Sequence, residues 1–446
     1  MKVKLSFALI AAFFFNLSQS HAAITLLDKE EWKFLISGFI QADAFNDSSK
    51  SFTEVAGNNP VTRLGTYNGD NGRSQFSIRN SRFAFSILAP SQDDWKSKGY
   101  LEYDLLGFDP SPGVSGNNES GFYTNATLRV RHAYIEGVKN GLQILVGQYW
   151  TLFGWQPAYV LTTASVPPVA GSAYQRTPQI LAIKSFEVKS DNKIQAGVSV
   201  ARPSQRDSQL PNIDGGARFI MASRSSGFAS PSSDIKAEPM SLGLSGTLRQ
   251  FSAPTSGGAT TDKFNSMGGA FAIDTLIPLI SSIDNKDTKG TLTFTAEFTS
   301  GSGYTDAFPG MNGNLGTLTQ AALPSGASSS PNLDAGQAGF DSSGNFQLVK
   351  LQTFNSQIQY HLPTRCRLFV NAGYGQLYSP NMGSLTTPSL GSTVLYDKSE
   401  TSYLNMFDDL TNQIRLAVEY AQIRTHYIDN QSAQDNRVQL SAWFRF

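Results

Sequence analysis

Apolar and polar residues alternate along most of the chain, in stretches of about ten separated by connectors rich in Gly, Ser, Asn and Pro; this is the period-two signature of β-strands. In the closing segment NRVQLSAWFRF, Val438, Leu440, Ala442, Phe444 and Phe446 share one face and Arg437, Gln439, Ser441 and Arg445 the other. Trp443 alone breaks the polar row. Within 291–298, Leu292, Phe294, Ala296 and Phe298 oppose Thr293, Thr295 and Glu297. Leu368, Val370, Ala372 and Tyr374 oppose Arg367 and Asn371, and Ile414, Leu416, Val418 and Tyr420 oppose Arg415 and Glu419. The pattern predicts an all-β protein.

Strands with one apolar and one polar face suit either a soluble sandwich or an outer-membrane barrel, and three features favour the barrel. Lys2 and Lys4, the apolar run from Leu5 to Phe15 and the small residues of Ser20-His21-Ala22 follow the order of a secretory signal, with cleavage expected after Ala22. Residues 1–22 are then a signal peptide and 23–446 one barrel domain. The chain ends on Phe446 inside an alternating strand, an ending that resembles those of outer-membrane barrels. Finally, short and long connectors mostly alternate. Short links fall at 89–96, 138–141, 189–193, 281–290, 363–365 and 408–411, with a longer one at 224–238. Long links fall at 46–72, 109–125, 154–177, 202–215, 251–262, 301–345, 379–401 and 429–435. Tight turns at one end and long loops at the other fit about sixteen antiparallel strands. The sheet must close, because an open edge in hydrocarbon leaves unpaired amides at several kcal/mol each. An interior of that width is too large for wall side chains alone to fill, so the expected function is a pore.

Composition narrows the alternatives. The 446 residues include 35 Lys plus Arg against 35 Asp plus Glu, and the mature chain, without Lys2 and Lys4, has a formal charge of −2. That balance carries no electrostatic footprint for nucleic acid. Mean hydropathy is −0.23, too polar for a helical bundle in a membrane. The single cysteine, Cys366, excludes an intrachain disulfide and a Cys-clustered zinc site. No cofactor or metal is expected.

The segments LRVRHAYIEG (128–137), LVGQYWTLFGW (145–155) and QRTPQI (175–180), preceded by RNSRFAFSI (79–87) and LEYDLLGFD (101–109), resemble the DcaP-like trimeric porins of Gram-negative outer membranes. The resemblance covers roughly the first third of the mature chain, and NRVQLSAWFRF agrees with it. It implies about sixteen strands, a homotrimer embedded among lipid and lipopolysaccharide, and preference for small anionic solutes such as dicarboxylates at an arginine-bearing constriction. Some members carry an N-terminal coiled coil. Here only 23–33 precedes the first expected strand, too short for heptads.

Strand parity selects the residues that would line the channel. With Leu128 and Val130 outward, Arg129 and Arg131 face inward, and an arginine on the lipid face near mid-depth would cost about 2–4 kcal/mol. With Leu101, Tyr103 and Leu105 outward, Glu102 and Asp104 face inward. Arg82 points inward if Phe83, Phe85 and Ile87 point out, a phase that conflicts with Phe76 and Ile78 and therefore implies a bulge near Arg79. The apolar and small residues VLTTASVPPVAGSAY within 154–177 suit packing against an inner wall, which would bring Arg176 beside the strand arginines. Parity places His132 and Tyr134 on the outer face, at an aromatic belt or a subunit contact; His361 and His426 fall at strand ends, and Cys366 reads as a small apolar filler. A barrel hydrolase would need a nucleophile with an oriented base, for which His426, Ser432 and Asp429 are the local set. Six residues across an expected loop make no motif, so no catalysis is expected. An adhesin or structural barrel with a plugged interior is the other alternative.

Overall fold

The computed structural model describes residues 23–107, 126–155, 169–189, 192–205, 208–254, 263–308, 310–311, 336–363, 367–385 and 395–446. The expected signal peptide, 1–22, and Cys366 lie outside these residues. The first hairpin joins β1 (Ile24–Lys29) to β2 (Trp32–Asp47) through Glu30 and Glu31, both at left-handed φ. The wall continues with β3 (Arg73–Ser77), β4 (Arg82–Leu88), β5 (Lys96–Asp104), β6 (Arg129–Lys139), β7 (Leu142–Trp150), β8 (Arg176–Glu187) and β9 (Lys193–Ala201). The longest strands follow: β10 (Asn212–Phe228), β11 (Lys236–Pro254) and β12 (Lys263–Ile280), then β13 (Leu292–Ser302). A small separate hairpin, β14 (Ala338–Phe340) with β15 (Phe346–Leu348), sits in the next loop. The chain closes through β16 (Lys350–His361), β17 (Leu368–Tyr378), β18 (Tyr396–Asp409), β19 (Ile414–Tyr427) and β20 (Ser432–Arg445).

Every ladder of the wall is antiparallel, and β20 pairs with β2 to complete the ring. Two pairs of strands share a place in it. Both β3 and β4 pair with β2, as halves of one interrupted strand. β1 continues the row of β20: Phe446 exchanges backbone hydrogen bonds with Gly38 at 2.8 and 3.0 Å, and Ile24 pairs with Ile36 just beyond. The result is a closed antiparallel barrel with sixteen positions around its wall. Among the described residues the full-length strands of the wall each pair on both sides, as a spanning sheet requires, while the short β1 and β3 pair with β2 alone. Among the described residues no helix is long and apolar enough to cross a membrane.

Alternation sets the two faces. Leu242, Leu244 and Leu248 of β11 and Leu440 and Phe444 of β20 are about half exposed on the outside, while Thr293, Thr295, Glu297, Arg437 and Gln439 point inward. The short connectors gather at one end and the long ones at the other. The structure departs from the sequence reading in three places. The segment before the first expected strand is itself strand β1. The link expected over 224–238 shortens to 229–235, since β10 runs to Phe228 and β11 begins at Lys236. Parity also inverts within β6: a register shift between Glu102 and Tyr103 leaves Arg131 as an extra residue, so Val130 is outward but His132 and Tyr134 turn inward and become buried. The interruption expected near Arg79 is present, with Arg79, Asn80 and Ser81 all buried between β3 and β4.

Candidate functional site

On the inner wall β4, β5 and β6 bring together Arg82, Glu102, Asp104, Arg129 and Arg131. In the β4–β5 ladder Arg82 lies opposite Asp104, and in the β5–β6 ladder Asp104 lies opposite Arg129, so ordinary cross-strand pairing aligns three charges in a row. Arg129 grips Asp104 bidentately, Nε to Oδ1 at 2.9 Å and Nη2 to Oδ2 at 2.6 Å. Arg131, pushed inward by the bulge, donates from Nε to Glu102 Oε1 at 2.6 Å and from Nη1 to Asp104 Oδ2 at 3.0 Å. Arg82 Nε stands 3.7 Å from Glu102 Oε1. Charge-assisted and forked, these contacts hold the guanidiniums in fixed positions.

Arg176 completes the group from the start of β8. Its guanidinium lies 5.3 Å from the Trp150 ring centre and 5.6 Å from that of Tyr174, within cation–π range. Arg131 Nη2 donates to the Tyr174 hydroxyl at 3.1 Å. Burial alone would raise the Tyr174 phenol, but Arg131, Arg176 and Arg82 bring it down to about 8. The four arginines face two carboxylates, a formal surplus of two positive charges. All six residues singled out by parity and loop composition thus meet in one patch. Sequence reasoning missed Tyr174, Trp150 and His132, which stack around the arginines. His132 is 5.2 Å from Trp150 and 5.1 Å from Tyr149, ring centre to ring centre. Tyr174, two residues before Arg176 in a small-residue loop, was the available signal.

The third long loop is described at 151–155 and 169–175, and both pieces lie inside the barrel; 156–168 lie outside the described residues. Trp155 Nε1 donates to Leu244 O at 3.0 Å, with its ring against Gly216 and Gly243. The second piece reaches the opposite wall. Gly171 N donates to Asn58 Oδ1 at 3.0 Å, Asn355 Nδ2 donates to Gly171 O at 3.0 Å, and Ala173 N donates to Glu297 Oε1 at 2.7 Å. Gly375 of β17 receives the loop backbone so closely that a Cβ there would lie 2.1 Å from Ala170 O. Gly171 also needs a φ of 75°, so glycine is required on both sides of the contact. The sixth loop pins the third from above: Tyr174 N donates to Ala307 O at 2.7 Å, and Asp306 holds both Arg249 and Gln175. The described pieces of this loop thus pack against the inner wall, the packing its apolar and small residues led us to expect.

Of the hydrolase set, His426 lies opposite Ser432 in the β19–β20 ladder, while Asp429 is engaged elsewhere. His426 Nε2 lies 2.6 Å from Glu400 Oε2, and Asp429 is tied to Arg63 Nη1 at 2.8 Å. Among the described residues no group of three or more His, Cys, Asp or Glu side chains is arranged to hold a metal ion.

No protein-family model matches the chain, and no curated protein matches it. Solved structures do. The outer membrane channel DcaP of Acinetobacter baumannii superposes with a TM-score of 0.64 at 16% identity, over 95% of this chain and 100% of that one. An anion-selective porin from Comamonas acidovorans gives 0.53 at 9% identity, over 93% of this chain and 100% of that one. The chain has the fold of bacterial outer-membrane porins. A third match, a loop-deletion variant of the outer membrane protein OmpT of Vibrio cholerae, gives 0.50 at 10% identity, over 93% of this chain and 99% of that one. At these identities what the chain shares with them is the barrel fold.

Proposed function

We propose that the protein is a porin of the DcaP-like kind in a Gram-negative outer membrane: a non-catalytic diffusion channel for small hydrophilic solutes that favours small anions such as dicarboxylates. The observation that carries this reading is the surplus of guanidiniums on the inner wall beside an infolded loop. Several fixed positive charges between low-dielectric walls focus the field and raise the local concentration of anions, while the two carboxylates keep each guanidinium oriented. The similarity to an anion-selective porin supports the same direction. The resemblance of the 79–180 segments supports a homotrimer among lipid and lipopolysaccharide, exported by a signal peptide cleaved after Ala22.

Planar-bilayer recording tests the reading. Steps of conductance, a reversal potential displaced toward the anion in a salt gradient, and block by succinate at low salt are expected. A parent protein that assembles and carries no current would favour the plugged structural barrel instead, the alternative to which the infolded loops lend weight.

A further inference from the structure

The β10–β11 connector does not turn at the rim as the other short-end connectors do. After Met221 pairs with Met240 the register jumps to Ser225 with Pro239, so Ala222, Ser223 and Arg224 bulge out and the hairpin beyond them bends. Its tip then contacts the far wall. Ser226 and Thr293 share a hydroxyl hydrogen bond of 2.6 Å on β13, and Gly227 N donates to Thr291 Oγ1 at 2.9 Å. On β16, Gln359 accepts from Ala229 N at 2.7 Å and donates to Ala229 O at 2.9 Å. On β19, Arg415 Nη1 donates to Ser230 O at 2.7 Å and Pro231 O at 2.8 Å, and on β20 Arg445 Nη1 donates to Ser233 O at 3.5 Å. Gly227 fits where a Cβ would lie 2.6 Å from His361 Cδ2.

An apolar anchor accompanies these bonds. Phe369, Phe407 and Trp443 point inward, where wall residues are mostly polar; Phe369 and Phe407 stack 5.0 Å apart, and Trp443 lies 5.9 Å from Phe407. Ala229 is buried in their cluster and Ile235 packs against it. An aromatic group on the wetted side of a barrel is stable when something covers it, and the hairpin tip does so. We infer that this tip is a second constriction, in series with the arginine patch, through which solute leaves at the short-turn end. The inference rests on the channel reading above.

Charge separates the roles of the two narrow places. At the tip Arg415 Nε meets Asp409 Oδ1 at 2.5 Å and Arg445 Nη2 meets Asp409 Oδ2 at 3.1 Å, while Asp234 stands 3.9 Å from Arg445. Two arginines face two aspartates, so this constriction is formally neutral. It sets size and resistance, and the arginine patch sets ion preference.

The test uses the full-length protein with Cys366→Ser, recorded in planar bilayers after heat-modifiable migration has confirmed assembly. Replacing 229–235 by Asp-Gly, a two-residue hairpin turn that keeps one carboxylate at the tip, should raise single-channel conductance by about twofold and leave the reversal potential unmoved. In a second variant, Ser232→Cys, a bulky thiol reagent applied from the short-turn side should lower conductance by about half. This arm decides if the shortened hairpin does not assemble. Parent-like conductance in the shortened variant, or a modified Cys at 232 that leaves current unchanged, overturns the second constriction while the channel reading stands. A parent that carries no current overturns the channel reading itself.

Discussion

Arg131 bonds Glu102 at 2.6 Å although the ladder sets His132, not Arg131, opposite Glu102. The bulge that causes this places two consecutive side chains of β6 inward, a cation and an aromatic ring, where strict alternation allows one. Arg131 thereby reaches two carboxylates and Tyr174 at once, and the consequences can be measured.

Replacing Arg129 and Arg131 together by Gln should move the reversal potential toward cations and weaken dicarboxylate block at low salt. Each guanidinium contributes about 1 kcal/mol to anion attraction at such range, so removing the pair should matter by about thirtyfold at low salt. The effect should shrink as salt rises. Glu102 and Asp104 lose buried partners in this variant, so assembly is checked first by heat-modifiable migration. Unchanged selectivity in an assembled double variant would remove these two residues from the filter.

Titration of Tyr174 should make selectivity depend on pH. Its phenol, brought to about 8, is neutral below that pH and anionic above it. Raising the pH through 8 therefore lowers the patch's surplus by one positive charge, and anion preference should fall. In Tyr174→Phe the drop between pH 6.5 and pH 9.5 should vanish; a parent profile flat across that interval counts against the assignment.

Loop docking depends on the missing side chain at Gly375. Gly375→Val would place a branched Cβ 2.1 Å from Ala170 O, a collision of the overpacking kind worth about 1–3 kcal/mol. The loop should detach from β17, with noisier and larger conductance steps in bilayer recordings. Steps indistinguishable from the parent's would mean that the glycine contact does not hold the loop.

Face assignment is tested by neighbours on one strand. Leu440→Arg puts a charge on the outer face at a cost of about 2–4 kcal/mol if the site lies near mid-membrane, and assembly should fail or slow. Gln439→Lys points inward, 3.2 Å from Asp43 Oδ1 in the parent contact, and should assemble. Membrane fractionation of both variants decides; equal behaviour would contradict the two-faced wall.

The sequence by itself determined the strands, because period two is a local property by which each states its own apolar and polar face; the signal pattern and connector lengths favoured the barrel, and closure follows from the cost of unpaired amides in lipid. It likewise selected Arg82, Glu102, Asp104, Arg129, Arg131 and Arg176 by parity and loop composition, and the phase conflict at Phe76 against Phe83 located the break near Arg79. Only the tertiary structure decided the rest. A bulge within β6 depends on the register of its partner strand, so the inward turn of His132 and Tyr134 was invisible to parity. The place of 169–175 depends on Asn355, Glu297 and Gly375, more than a hundred residues away along the chain. The β10–β11 tip depends on Gln359, Arg415 and Trp443 across the barrel in the same way. Trp443 was the visible trace of it, a lone aromatic on a polar row, but its partner could be named only once the ring had closed and set the two walls face to face.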